Sequence, residues 1–215
     1  MGFPVDLAAT LTGASTDQLE RWRATELLVP EVSRRPVEYS FRDLVALRTF
    51  VRLRSEIPLQ RIRKAMSTLR SWDLTDHPSL YTFVTDGASV FLIEDVDGTG
   101  PGAVDLVRRP GQHLLLTLED VFAPFTNLQG REVIDFRKPR PRLEVRQQRL
   151  GGWPTIEHSR VGYDSVAKLV IGGVAPEDVG RFYPGVGALA AAEAADFQAE
   201  VLETAGRAVF QELGA

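Results

Sequence analysis

The polar side chains that could do chemistry are concentrated in one short segment near the N-terminus. This segment contains Thr16, Gln18, Arg21 and Arg23. Hydroxyl, amide and guanidinium groups can hydrogen-bond to base edges and phosphates in the major groove of DNA. We therefore predict that Gln18 and Arg21 read bases and that Thr16 and Arg23 contact phosphates. The alternative interpretation is that each of these side chains only faces solvent.

The sequence contains no recognisable motif for catalysis or for binding a metal or a cofactor. The Gly-rich run at 97–102 lacks the lysine and the following helix of a phosphate-binding loop, which favours a simple turn. Asp95 and Asp97 lack the spacing and the glutamate of a calcium loop. There is no cysteine, and no metal motif contains His77, His113 or His158. The sequence thus predicts that the protein is not an enzyme and uses neither metal nor cofactor.

Two short helices joined by a tight turn are needed to position the polar segment. The run from Val5 to Leu11 predicts an apolar helix, and Gly13 can adopt the left-handed conformation of a helix–turn–helix corner. Ser15 or Thr16 can cap the second helix, which Pro30 is expected to stop. The face of this helix that is predicted to be buried carries Leu19, Trp22, Leu27 and Leu28.

The segment VPEVSRRPVEYS, residues 29–40, contains too many prolines and charges to be helical. A short extended ribbon fits it better, with Arg34 and Arg35 at the tip. Guanidinium groups at such a tip can contact phosphates. The segment therefore predicts a wing beside the helix–turn–helix.

Two longer amphipathic helices are predicted after the wing. Ser40 can cap the first, with Asp43 at its positive end, and this helix continues to Arg54. Pro58 is well placed as the first residue of the next helix. The polar face of the first helix is expected to carry Arg42, Arg48, Arg52 and Arg54. For Arg42 and Arg48, phosphate contact and simple surface charge are equally good interpretations.

Residues 5–70 resemble the winged helix–turn–helix of the MerR family of transcription regulators. The matching runs are LTGAS, QLERW, FRDLVALRTFVRLR and IPLQRIRKAM, in that order. Glu26 stands where the family usually has glycine, and Glu38 where it usually has arginine before Tyr39. The resemblance implies a DNA-binding regulator that acts as a homodimer on an inverted repeat of operator DNA.

The middle of the chain changes in composition twice. Residues 73–130 are acidic and rich in β-forming residues, and Asp86-Gly87 between two alternating runs predicts a hairpin. We expect this unit to be a spacer or a dimerisation unit. Residues 131–150 contain RKPRPR, whose prolines exclude a helix or a central strand. A basic extended arm that binds phosphates or an acidic partner is one interpretation, and an exposed connector is the other.

The last part of the chain has a helical plan. A short strand at 155–156 is followed by a helix that Asp164 or Ser165 can cap, and Pro176 opens another helix. An Ala-rich amphipathic stretch follows, from Leu189 to Leu213. Residues 151–205 resemble a small helical domain of unknown function that occurs in certain VapB-type antitoxins. The residues that carry the likeness are Gly151, Gly152, Pro154, Ile156, Ser159, Arg160, Val161, Asp164, Val166 and the run from Val179 to Pro184.

The two resemblances together imply a type II antitoxin that neutralises a PIN-domain ribonuclease toxin and represses its own operon. The active site of such a toxin clusters carboxylates around a metal, so arginine or lysine could occupy it through charge-assisted hydrogen bonds. The alternative contact is an apolar C-terminal helix that docks in a groove. The alternative function is a stand-alone MerR-like regulator in which residues 73–215 sense a ligand. The predicted toxin-binding residues are Arg137, Lys138, Arg140, Arg142 and Arg207.

The charge of the chain is unevenly distributed along its 215 residues. Residues 1–72 carry 12 basic against 8 acidic side chains, and residues 130–160 carry 8 against 4, so each block has an excess of four positive charges. The block 73–129 is acidic, with 2 basic against 9 acidic side chains. The basic N-terminal block favours a polyanionic partner.

Whole-chain properties predict a cytoplasmic protein. There is no apolar run of membrane-spanning length, no signal-peptide pattern and no cysteine. The predicted fold class is α+β and mainly helical. Its predicted units are a winged helix–turn–helix at 1–72, a β-rich unit at 73–130, the arm at 131–150 and a helical, helix–turn–helix-like domain at 151–215.

Overall fold

The computed structural model describes residues 2–71, 82–85, 90–95, 101–105 and 118–213, with side chains at 2–68 and 120–206. The described residues form an α+β fold dominated by helices, as the sequence predicts. Helices α1 (Val5–Thr12) and α2 (Thr16–Ala24) are joined at Gly13, whose φ of 76° is left-handed. A glycine meets no steric penalty in this conformation, so the predicted helix–turn–helix corner is confirmed.

Helix α2 begins as predicted but ends earlier. Ser15 is the cap, and it forms a capping box with Gln18. The helix stops at Ala24 and not at Pro30, because Glu26 adopts a left-handed φ of 52°. Leu27 and Leu28 are buried as predicted, although they lie beyond the helix.

The wing is present where the sequence predicts it. Strand β2 (Ser33–Arg34) pairs antiparallel with β3 (Val37–Tyr39), which leaves Arg35 in the connecting turn. A strand that the sequence did not predict, β1 (Phe3–Pro4), pairs with the other edge of β3. The chain start therefore anchors the wing in a sheet of order β1-β3-β2.

Helices α3 (Phe41–Arg54) and α4 (Leu59–Ser71) follow the wing. Ser40 caps α3 as predicted, and Asp43 completes a capping box. The buried carboxylate of Asp43 accepts from the backbone N–H groups of Ser40, at 2.7 Å, and Glu31, at 3.0 Å. One side chain thus holds the start of α3 and the segment that enters the wing.

The central region contains an antiparallel sheet of order β4-β5-β6, formed by Thr82–Thr85, Val90–Asp95 and Pro101–Asp105. The pairing of β4 with β5 agrees with the predicted hairpin, whose Asp86-Gly87 turn lies outside the described residues. Helix α5 (Leu118–Phe122) follows. This helix lies in the middle of the apolar run at 113–125.

The C-terminal region combines two small hairpins with helices. Strands β7 (Phe125–Thr126) and β8 (Glu132–Val133) pair with each other, as do β9 (Leu143–Glu144) and β10 (Thr155–Ile156). Short 3-10 helices at Leu150–Gly152 and Pro176–Arg181 accompany α6 (Tyr163–Ile171) and α7 (Ala188–Leu213). Helix α6 starts after Gly162 without a side-chain cap, so the predicted caps at Asp164 and Ser165 are wrong.

The basic segment 131–150 does not extend from the fold as an arm. It lacks a helix and a central strand at RKPRPR, as its prolines require, but its apolar residues point inwards. The basic side chains between them remain at the surface, so the segment is a strap across the core. Its buried hydrophobic residues include Val133, Phe136, Leu143 and Val145, and the side chain of Glu144 is buried beside them.

A single hydrophobic cluster connects the winged helix–turn–helix to the C-terminal helices, from Phe3 to Val201. Helix α7 packs against α1, and the hydroxyls of Thr10 and Thr204 hydrogen-bond at 3.2 Å. Asn127 donates from its side chain to the carbonyl of Gly13 at 3.1 Å. The corner of the helix–turn–helix is therefore covered by the β7–β8 hairpin, and the predicted units share one core.

Arg48 links the winged helix–turn–helix to α5 and the strap. It is buried, so it has neither of its two predicted roles, phosphate contact and surface charge. Its side chain is fully buried and donates to the carbonyl oxygens of Leu11 at 2.6 Å, Val121 at 2.5 Å and Ile134 at 2.6 Å. Burial lowers the pKa of Arg48 to about 9, so the guanidinium is still charged at neutral pH. The polar face that helical spacing predicts for α3 is covered at Arg48 by α5 and by Ile134, which follows β8.

Candidate nucleic-acid interface

Helix α2 is fixed to the core by one face, which leaves the other face outward. Leu19 and Trp22 are each only 1% exposed. The Trp22 ring meets the edge of the Phe50 ring on α3 at 6.1 Å and 86°. The polar side chains of α2 are therefore held at the surface by a rigid contact on the opposite side.

Gln18 has a structural role in addition to its position on α2. Its Oε1 accepts from the N–H of Ser15 at 2.9 Å, while Ser15 Oγ accepts from the N–H of Gln18 at 3.1 Å. Bidentate recognition of adenine needs both the oxygen and the nitrogen of an amide. Gln18 could read a base only through its Nε2 donor unless the capping box opens.

The other predicted residues of α2 differ in their availability. Arg21 is exposed, and Thr16 is half-buried. Arg23 pairs with Glu20 at 2.6 Å, and the hydrogen bond that Arg23 donates to Glu20 raises the pKa of Arg23. Arg21 is thus the best placed cation of α2 for contact with a nucleic acid.

The wing presents two exposed arginines, Arg34 and Arg35, as predicted. Its base is braced against α3 by an ion pair between Glu31 and Arg42 at 2.6 Å. Ser40 also donates from its hydroxyl to Glu31 at 2.7 Å. Arg42 therefore serves the position of the wing, which neither of its two predicted roles includes.

Arg21 on α2 and Arg63 on α4 both influence the charge of Arg54 at the end of α3. Burial and the positive charges of Arg21 and Arg63 lower the pKa of Arg54. Arg63 reaches α2 by donating from Nη2 to the hydroxyl of Thr25 at 3.3 Å. We call Arg21, Arg54 and Arg63 the arginine cluster. Helical spacing predicted a polar position for Arg54, but no local signal shows that α2, α3 and α4 bring the three arginines together.

In the arginine cluster, the positive charges of Arg21 and Arg63 both act on Arg54. The buried Nε of Arg63 has no hydrogen-bond partner among the described residues. Like charges at close range repel, and phosphates would relieve that repulsion while releasing counterions from the nucleic acid. The cluster therefore extends the basic surface of α2 towards α4.

The predicted toxin-binding residues are mostly engaged within the chain. Lys138 pairs with Glu157 at 2.9 Å, and this contact lowers the pKa of Glu157. Arg137 lies over the Phe122 ring, 4.6 Å from its centroid. Arg140 pairs with two carboxylates of α7 at 2.7 and 2.8 Å, those of Asp196 and Glu200.

The two remaining predicted toxin-binding residues give less information. The backbone N–H of Arg142 donates to Glu193 at 2.7 Å, and its side chain is half-buried. The side chain of Arg207 lies outside the described residues. The predicted set therefore does not form one exposed basic patch in the part of the chain that the structure describes.

The described ranges contain no group of three or more side chains that could hold a metal ion. None of the helices described is both long enough and apolar enough to cross a bilayer.

Comparison with known proteins agrees with the geometry of the N-terminal part. Residues 3–69 match the model of the MerR HTH family regulatory protein. The chain is also similar to Rv2018 from Mycobacterium tuberculosis, known from an X-ray crystal structure, with a TM-score of 0.50 and 18% identity over 90% of this chain and 99% of that chain. At this identity the likeness concerns the fold alone. No curated protein matches the chain. Residues 3–69 therefore form a MerR-type helix–turn–helix, a domain type that indicates DNA-binding transcription regulation.

Proposed function

We propose that the protein is an autorepressor that binds operator DNA as a homodimer, with α2 in the major groove and the wing on the adjacent backbone. The observation that carries the proposal is the MerR-type helix–turn–helix, whose helix α2 and wing present the exposed Arg21, Arg34 and Arg35. Arg21 would contact base edges or phosphates, and Gln18 would donate from Nε2. Thr16, Arg23, Arg34 and Arg35 would contact phosphates.

We further propose that the repressor is a type II antitoxin whose C-terminal part neutralises a PIN-domain ribonuclease. The resemblance of residues 151–205 to a domain of VapB-type antitoxins supports this proposal. The continuous core also supports it, because α7 packs on α1 and toxin binding at one end could alter DNA binding at the other. Lys138, Arg142 and Arg207 are the residues to test for toxin contact, together with Arg137 and Arg140.

The DNA-binding proposal is tested by titrating the upstream region of the gene with the full chain at several salt concentrations. We expect specific binding, and the logarithm of its binding constant should fall steeply and linearly with the logarithm of salt concentration. Gln18→Glu keeps a residue that can complete the capping box, so it changes the DNA face of α2 without removing the cap. A loss of at least tenfold in specific binding is expected for this variant and for Arg21→Ala. Unchanged binding in both would show that α2 is not the reading helix.

The antitoxin proposal is tested by co-expression with a neighbouring short PIN-domain reading frame. We expect a stable complex, rescue of growth and inhibition of the ribonuclease. Arg160→Gln is a suitable control for variants of the proposed toxin-binding residues, because Arg160 is an exposed arginine outside that set. Operator binding without any complex with the neighbouring protein would favour the alternative, a stand-alone regulator that senses a ligand.

A further inference from the structure

A cavity of about 790 Å³ lies between the start of α3, the end of α5 and the segments 135–138 and 144–148. Its aromatic wall is formed by Phe41 and Phe122, which are partly exposed, with the fully buried Phe136 packed behind them. The rings of Phe122 and Phe136 stack at 5.3 Å and 14°, and Phe41 packs on Phe136 at 5.7 Å. Val45 and Val145 add aliphatic surface. The volume is in the range of small-molecule sites, and the wall suits a flat apolar body.

The two carboxylates at this cavity accept hydrogen bonds from protein donors. Asp135 Oδ1 accepts from the backbone N–H groups of Arg137, at 2.8 Å, and Lys138, at 2.7 Å. Glu144 is buried and accepts from Arg146 Nε at 2.7 Å, from the N–H of His158 at 2.8 Å and from Arg149. A cationic ligand would therefore find few acceptors that are not already occupied.

The donors at the cavity exceed these acceptors. Arg146 is 57% exposed and donates only from Nε among its described hydrogen bonds, so both of its amino groups can bind another acceptor. Arg42 is 48% exposed and uses Nε and Nη2 for Glu31, which leaves Nη1. The exposed amides of Gln147 and Gln148 complete this side. A ligand that satisfies this surface must itself supply acceptors.

We propose that this cavity is a binding site for a planar aromatic carboxylate. The aromatic body would lie against Phe41 and Phe122, beside the Arg137 guanidinium that lies over the Phe122 ring, and the carboxylate would accept from Arg146 and Arg42. The proposal does not depend on DNA binding, since it concerns a different surface from α2 and the arginine cluster, and it shares Arg137 and Lys138 with the proposed toxin-binding residues.

The experiment titrates the full chain with 1-naphthaleneacetate and indole-3-acetate, and with the corresponding uncharged acetamides, by calorimetry and by NMR of ¹⁵N-labelled protein. The carboxylates are expected to bind about tenfold more tightly than the acetamides, because they form charge-assisted hydrogen bonds. The side-chain amide signals of Gln147 and Gln148 are expected to shift. Equal affinity of acids and amides, or no binding at millimolar probe, would overturn the proposal.

Two variants locate the site. Arg146→Gln is expected to reduce carboxylate affinity about tenfold and to leave acetamide affinity unchanged, since it removes only the charged donor. Val45→Phe is expected to abolish binding of both probe types by filling the cavity. If that variant does not fold, Arg146→Gln alone decides the outcome. Arg160→Gln is the matched control and should bind as the parent chain does.

Carboxylate binding that is unchanged in Arg146→Gln would place the probe elsewhere and refute this site. Shifts of the Gln147 and Gln148 signals by a partner protein, with no response to either probe, would show a macromolecular contact surface instead. That result would also overturn the proposal. Because all these measurements are made without DNA, their failure would not affect the proposed repressor function.

Discussion

Two arginine-rich regions of the molecule have the same excess charge in the sequence but differ in how their arginines are arranged in the fold. The blocks 1–72 and 130–160 each carry an excess of four positive charges. In the first block, the arginine cluster brings guanidinium groups together so that Arg21 and Arg63 lower the pKa of Arg54. In the second block, Lys138, Arg140 and Arg146 each pair with a carboxylate.

The difference arises from where the acidic residues lie in the fold. Asp196 and Glu200 are 56 and 60 positions from Arg140 in the sequence, and α7 brings them beside it. Block charge therefore does not identify a polyanion-binding surface, whereas the balance of neighbouring charges does. On this criterion the N-terminal surface is suited to DNA, and the strap at 131–150 is suited to holding α7.

The largest effect is expected from Arg48, which contributes exposed charge to neither region. Arg48→Met would leave the carbonyls of Leu11, Val121 and Ile134 without their donor. The loss in the free energy of unfolding should be about 3 kcal/mol or more, because orphaned buried acceptors are costly. Urea denaturation measures it, with Arg160→Met as the exposed control. A loss under about 1 kcal/mol would mean that Arg48 does not hold the two parts together.

The next test compares the two regions directly by their affinity for DNA. Arg21→Ala with Arg54→Ala should weaken binding by roughly 10- to 100-fold. The slope of the logarithm of the binding constant against the logarithm of salt concentration should become less steep by about 2. Arg137→Ala with Arg146→Ala removes the same charge from the strap and should change affinity less than about twofold, since those groups lie outside the proposed interface. Fluorescence anisotropy at several salt concentrations gives both quantities. Equal losses in the two double variants would contradict the distinction between the regions.

Local sequence signals were sufficient to predict the main elements of the winged helix–turn–helix, apart from β1 and the end of α2. The Gly13 corner, the caps at Ser15 and Ser40 and the wing each depend on residues close together in sequence, and the structure has all of them. The departure at Glu26 was also informative. Its backbone is left-handed, a conformation that glycine adopts without strain, which agrees with the glycine expected at this position from the resemblance to the MerR family.

The features that the sequence did not predict depend on long-range packing. Helical periodicity places Arg48 on a polar face, but Val121 of α5 and Ile134, more than 70 positions away, cover that face with their carbonyl groups. The convergence of Arg54 and Arg63 on Arg21 depends on how three helices cross. Alternating basic and apolar residues at 131–150 are compatible with an arm or a strap, and only the position of α7 distinguishes them.

A smaller effect is expected from breaking the contact between the strap and α7. Arg140→Ala removes the ion pairs with Asp196 and Glu200 and the contact with the Phe197 ring at 5.5 Å. Because the arginine is partly exposed, the loss in the free energy of unfolding should be about 1–2 kcal/mol. DNA affinity should not change. Arg140→Lys should recover only part of the loss, since an ammonium cannot bind two carboxylates as a guanidinium fork does.

Selective weakening of DNA binding in Arg140→Ala, with unchanged stability, would contradict this assignment. It would show that Arg140 belongs functionally with the arginine cluster although it is paired in the fold. Thermal denaturation and DNA titration of the same preparation separate the two outcomes.

The smallest expected effect is a pKa change at Glu157, which tests whether pairing in the strap persists in solution. Lys138 holds the pKa of Glu157 below its ordinary value, mainly through a hydrogen bond. Lys138→Gln should therefore raise this pKa, measured by an NMR pH titration of the Glu157 side-chain carboxyl. A depressed pKa in the fold stabilises the protein above the ordinary pKa of glutamate, and this contribution is lost as pH falls through the depressed value. An unchanged pKa in the variant would mean that Lys138 is solvated, and that its charge is available to a partner after all.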